Sequence, residues 1–97
     1  GEVVYEEEAW NALRGEGVKN ILRAFQEELP ELSQPAEAKE FIKATTKKLK
    51  LKPKDVYMPL RSALSGRTHG PELPYLLLIW GRDEVMRRID QTISLLG

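Results

Sequence analysis

The chain contains no cysteine and only one histidine, His69. A disulfide framework, a thiolate nucleophile, a cysteine-ligated metal and a histidine cluster are therefore all excluded. These absences fit a reducing compartment. Long apolar runs are missing as well. The longest is Leu76 to Trp80, far short of the roughly 20 residues a membrane-spanning helix needs. A secretory leader is not expected, because Glu2, Glu6, Glu7 and Glu8 stand where a basic and then apolar segment would be required. There is no alternation of β-branched residues beyond Val3–Val4, so strand signals are absent too.

What is present is enough for one small domain. The 97 residues are 41% hydrophobic, an ordinary fraction for a folded chain, and no linker, repeat or low-complexity stretch divides them. The reading is a single domain over residues 1–97. Tyr5 to Arg14 predicts a first helix, with Ala9, Trp10 and Leu13 on one face and Gly15 and Gly17 as stop and turn. Val18, Ile21, Leu22, Phe25 and Leu29 form an apolar stripe of helical period, ended by Pro30. A third helix opens near Pro35 with the stripe Ala38, Phe41, Ile42, Thr45 and Leu49, and stops at Lys52–Pro53. Asp55 to Ser65 predicts a fourth helix with Pro59 in its first turn and Gly66 as its C-terminal cap. Two last helices follow, about 72–80 and 83–95, separated by Gly81. The expected fold is all-α, a compact bundle of five to six short helices. Phe25, Phe41, Ile42, Leu60, Leu77, Trp80 and Ile89 are its expected core.

The net charge of zero hides an asymmetry. Residues 1–40 hold ten acids and four bases, a net of −6, whereas residues 41–97 hold eleven bases and five acids, a net of +6. One half could face a polyanion, or the two sets could pair with each other as solvated faces. If the first holds, Lys43, Lys47, Lys48, Arg61 and Arg67 should share one positive surface.

Catalytic chemistry finds little support. His69 has no acid within two positions, neither Ser62 nor Ser65 is marked as an activated nucleophile, and no GxxxxGK or GxGxxG loop occurs. No catalytic residue and no metal site is assigned. A binding role has more behind it. Between two helices the chain reads Arg61-Ser62-Ala63-Leu64-Ser65-Gly66-Arg67-Thr68-His69-Gly70-Pro71. That gives two arginines, hydroxyls, an imidazole and a Gly-Pro corner, the groups that recognise unstacked RNA bases and their phosphates.

The stretch Met58-Pro59-Leu60-Arg61, then Ala63-Leu64-Ser65-Gly66, then Gly70-Pro71-Glu72-Leu73 closely resembles a family pattern, MPLR-x-ALTG-x-x-x-GPEL. That pattern belongs to the C-terminal anticodon-binding domain of bacterial-type glutamyl-tRNA synthetase, a class I aminoacyl-tRNA synthetase. Ser65 replaces the threonine of the pattern. The leucine-rich helix, Gly81 and Arg87-Arg88-Ile89 also look like that family's ending.

The resemblance implies a helical cage that clasps the anticodon loop of tRNA(Glu), on a synthetase that attaches glutamate to tRNA using ATP. Neither the HIGH-type nor the KMSKS-type signature of the catalytic domain occurs here, so ATP and magnesium would serve an absent catalytic domain. This domain itself is expected to hold no cofactor. The chain alone would be inactive, would act as a cytoplasmic or organellar monomer with no membrane partner, and would adjoin a preceding helical domain. Carried over residue by residue, the anticodon contacts fall on Arg61, Gly70, Pro71 and Leu73. Arg67, Lys47, Lys48 and Lys50 are phosphate-contact candidates on charge alone. A helical protein-interaction module and a non-specific RNA-binding domain are the alternatives.

Overall fold

A computed structural model describes residues 2–97. Five helices follow one another: α1 (Glu7–Leu13), α2 (Val18–Glu28), α3 (Pro35–Lys48), α4 (Pro53–Ser65) and α5 (Leu73–Leu96). No strand occurs among the described residues, and the fold is all-α.

The apolar stripes point inward as their period requires. Val18, Ile21, Leu22 and Phe25 of α2 are buried, as are Ala38, Ile42 and Thr45 of α3 and Leu60, Leu77 and Ile89. Helix α4 is the hub. It packs against α1, α2, α3 and α5, and its Val56, Leu60, Ala63 and Leu64 have no exposed surface. Phe41 and Trp80 differ from expectation. Both are half-buried and lie against the outside of the core. Phe41 sets its ring edge-on to Phe25, 5.5 Å between centroids, and Trp80 carries a guanidinium on one face.

Two helix starts also move. Helix α1 begins at Glu7, because Tyr5 and Glu6 are needed in extended form. There the Glu6 N–H donates to the Gly66 carbonyl at 2.8 Å, and the Gln91 amide pairs with both backbone groups of Val3. Helix α4 begins at Pro53, whose fixed φ suits a first turn. Pro59 therefore lies inside the helix and not in its first turn. It is buried, and lacking an N–H it leaves the Asp55 carbonyl without its usual partner. At the start of α3 the Glu37 carboxylate accepts from the backbone N–H groups of Ser33 and Gln34 and from the Ser33 hydroxyl.

The two expected C-terminal helices are one run, α5, bent at Gly81, whose φ of 77° and ψ of 168° are not helical. Arg88 spans the bend. Its guanidinium donates to Glu84 and to the Leu64 carbonyl at the end of α4, and lies 3.8 Å from the Trp80 ring centroid. Glu84 also receives Arg87. Hydrogen bonds from Arg87 and then Arg88 hold the Glu84 carboxyl down at about 2, against an ordinary value of 4.5. A carboxyl whose folded value is depressed stabilises the fold above its unfolded value and loses that contribution as pH falls. The thermal midpoint should therefore fall as the pH drops from about 4.5 towards 2, and Glu84→Gln should lower it at neutral pH while making the acid descent shallower. An unchanged acid profile in Glu84→Gln would show that the arginine pairs do not stabilise the bend.

Gly66 closes α4 in the left-handed region at φ 74°. A Cβ there would stand 2.0 Å from the Val4 carbonyl oxygen. Gly66→Ala meets both the strain and the clash, and should cost about 1–3 kcal/mol. In a domain this size that lowers the midpoint by roughly 4 °C or more. A midpoint equal to wild type would mean that the N-terminal segment does not dock on Gly66.

Candidate nucleic-acid interface

Helices α3 and α4 run beside each other, and two rows of side chains face the space between them. From α3 come Lys39, Lys43 and Lys47, spaced i, i+4 and i+8, with Thr46 beside them. From α4 come Pro53, Tyr57 and Arg61 at the same spacing. Residues four apart lie on one helix face, so each row is a continuous stripe. Leu51 closes one end of the groove, and Glu72 and Pro74 at the start of α5 close the other. The groove has a volume of about 830 Å³. Four cations line it against a single carboxylate.

Arg61 is fixed at the α5 end. Its Nη1 donates to the Pro71 carbonyl, which ties the guanidinium to the Gly70–Pro71 corner. The contact exists because Gly66 ends α4 and a short loop returns the chain to α5 beside Arg61's turn. The loop is tethered on its far side. Glu8 accepts from the Thr68 hydroxyl at 3.2 Å, and Glu6 lies 3.9 Å from both Arg67 and His69. Gly70, with φ 133° and open space around it, and Pro71 are exposed.

The candidate residues therefore separate. Arg61, Gly70 and Pro71 gather at one end of the groove, and Lys47 lines the α3 wall near the Leu51 turn at the other. The Leu73 side chain is only 1% exposed. It packs in the core at the first position of α5 and offers a ligand no apolar face. Lys48 points away from the groove to Glu28, whose hydrogen bond raises the Lys48 pKa. Arg67 turns to Glu6. Lys50 is exposed beyond the end of α3 at φ 59°. The single positive surface expected of Lys43, Lys47, Lys48, Arg61 and Arg67 thus holds for three of them. The other two pair with acids of the first forty residues.

Lys39 and Tyr57 belong to the groove and were not singled out by sequence. Lys39 sits in the acidic half by chain position, yet its i, i+4 relation to Lys43 and Lys47 was available to find it. Nothing in the local sequence marks Tyr57, which joins the groove only because α4 packs this face towards α3.

The sequence profile of a family described as an anticodon binding domain matches residues 1–93. The chain belongs to that family. Among its relatives is the glutamate–tRNA ligase of Bacillus cytotoxicus, 44% identical over 94 residues. Those of Bacillus mycoides, 43% identical over 94 residues, and Exiguobacterium sibiricum, 44% identical over 91, are similar. The matches cover 95%, 95% and 92% of this chain and 19% of each relative. The chain thus spans about a fifth of the length of these ligases, in their C-terminal part. In this anticodon-binding domain the groove adjoins the Arg61–Pro71 corner.

Proposed function

We propose that this domain reads the anticodon loop of tRNA(Glu) for a longer glutamate–tRNA ligase. The observation that carries the reading is Arg61 held by the Pro71 carbonyl beside a groove lined by lysines, in a chain of the anticodon-binding family. A guanidinium has five N–H donors. One bond to Pro71 sets its plane, and the remaining edge can face a base carbonyl or stack on a base. Gly70 leaves room for a base to come close to the backbone. Glu72 supplies an acceptor for a base amino group. Lys47 and its neighbours neutralise phosphates without reading sequence.

Ligation itself belongs to the remainder of the longer protein. In this reading ATP and magnesium serve that remainder, and this domain holds neither. The chain alone is inactive in this reading, and the longer protein is a monomer of the cytoplasm or of an organelle. A helical domain preceding this one would complete the anticodon contact.

Aminoacylation by the full ligase tests the assignment. Arg61→Ala should weaken recognition by about 1–3 kcal/mol, with a larger loss on the matching anticodon than on a mismatched one. Lys47→Ala should weaken all tRNAs alike and reduce the salt slope by about 1. Lys48→Ala, whose ammonium is engaged with Glu28, should change the slope less. Equal losses on matched and mismatched anticodons for Arg61→Ala would remove its base-reading role.

A further inference from the structure

The groove extends well past the corner where Arg61 sits. From Arg61 to Pro53 is two i, i+4 steps along α4, and from Lys39 to Lys47 is two steps along α3. Each step advances about 6 Å, close to the separation of neighbouring phosphates in a nucleic-acid strand. The lysine row therefore matches a strand that continues beyond the read bases. Lys39, Lys43 and Lys47 are exposed, and none has a carboxylate within ion-pair distance among the described residues. The contrast with Lys48, one residue on, is sharp: it pairs with Glu28. Across from the lysines, Tyr57 is half-buried at the middle of the opposite wall, between Pro53 and Arg61. A ring fixed by its own packing and flanked by cations is the arrangement that binds single-stranded nucleic acid through stacking and phosphate contact.

We infer that Tyr57 stacks on a nucleotide of the anticodon loop lying outside the three anticodon positions, while Lys39, Lys43 and Lys47 follow the phosphates of the same strand. This rests on the anticodon reading above and extends it. Binding is divided between two ends of one groove. The Arg61–Pro71 end discriminates among bases. The Tyr57–lysine track supplies affinity that is independent of the anticodon, because every base has a stackable face and every nucleotide a phosphate. An acidic protein segment would use the lysines but would have no use for the ring as a platform.

The test uses the full ligase and a tRNA(Glu) anticodon stem-loop RNA carrying 5-iodouridine at single loop positions outside the anticodon. Irradiation should join one such position to Tyr57, located by mass spectrometry of the peptide. Tyr57→Leu should weaken binding about five- to a hundred-fold equally for matched and mismatched anticodons, and Tyr57→Phe should retain wild-type affinity. The surface variant Lys39→Gln/Lys43→Gln/Lys47→Gln, which leaves the core intact, should reduce the logarithmic salt slope by about 2, the value for three phosphates of a single strand. Wild-type binding and anticodon discrimination, together with cross-links only to other residues and an unchanged slope in the triple variant, would overturn this inference and leave the anticodon reading standing. Failure of the wild-type ligase to bind the stem-loop would overturn both. Competition by a polyglutamate peptide as effective as the RNA would assign the lysines to an acidic protein partner and overturn the inference.

Discussion

Arg88 fastens three elements with one side chain. It donates to the last turn of α4 at Leu64, pairs with Glu84 on the second limb of α5, and lies on Trp80 of the first limb. Hydrogen bonds from a charged donor are worth about 1.5–3 kcal/mol each, and a cation over an indole adds roughly 0.5–2. The clamp acts on the bend at Gly81 together with Arg82, whose Nε donates to the Leu29 carbonyl at 3.0 Å. The angle matters because the first limb of α5 carries Glu72 and Pro74 to the groove and follows directly from Pro71. Arg61 on α4 and the corner just before α5 meet because α4 and α5 are held together at both ends of the intervening loop.

The N-terminal segment reinforces the same loop from outside. Val4 lies over Gly66, and Glu6 and Glu8 face Arg67, Thr68 and His69. The Tyr5 hydroxyl meets Thr92 on α5 at 2.8 Å. A chain of contacts thus runs from the N-terminal segment through the loop to the second limb of α5. The acids of this segment serve the fold there, and the basic groove on the other side of α4 is left without acidic partners apart from Glu72.

Much of this was legible in the sequence where a single periodicity decided it. The stripes of α2 and α3, the stop at Pro30 and the cap at Gly66 each follow from local rules, and the motif around Arg61 pointed to the corner it shares with Pro71. The misses came from tertiary demands. A helix counted from Asp55 puts Pro59 in its first turn, whereas Pro53 begins the helix. Leu73 looked available to a base, but the first residue of α5 is where the core needs an apolar side chain. Counting charge by halves of the chain hid Lys39 and overcounted Lys48 and Arg67. Helical pairing joins residues distant in sequence, as Glu28 with Lys48 shows.

The central claim is that one continuous surface, running from the Gly70–Pro71 corner along the cleft between α3 and α4, meets the anticodon loop. Backbone amide chemical-shift mapping of this chain, titrated with the tRNA(Glu) anticodon stem-loop, addresses it most directly. The account predicts perturbations concentrated on 39–47, 53–61 and 70–75, with α1 and the exposed face of α2 unaffected. Perturbations centred on α1 and α2, with 39–47 and 70–75 silent, would contradict it.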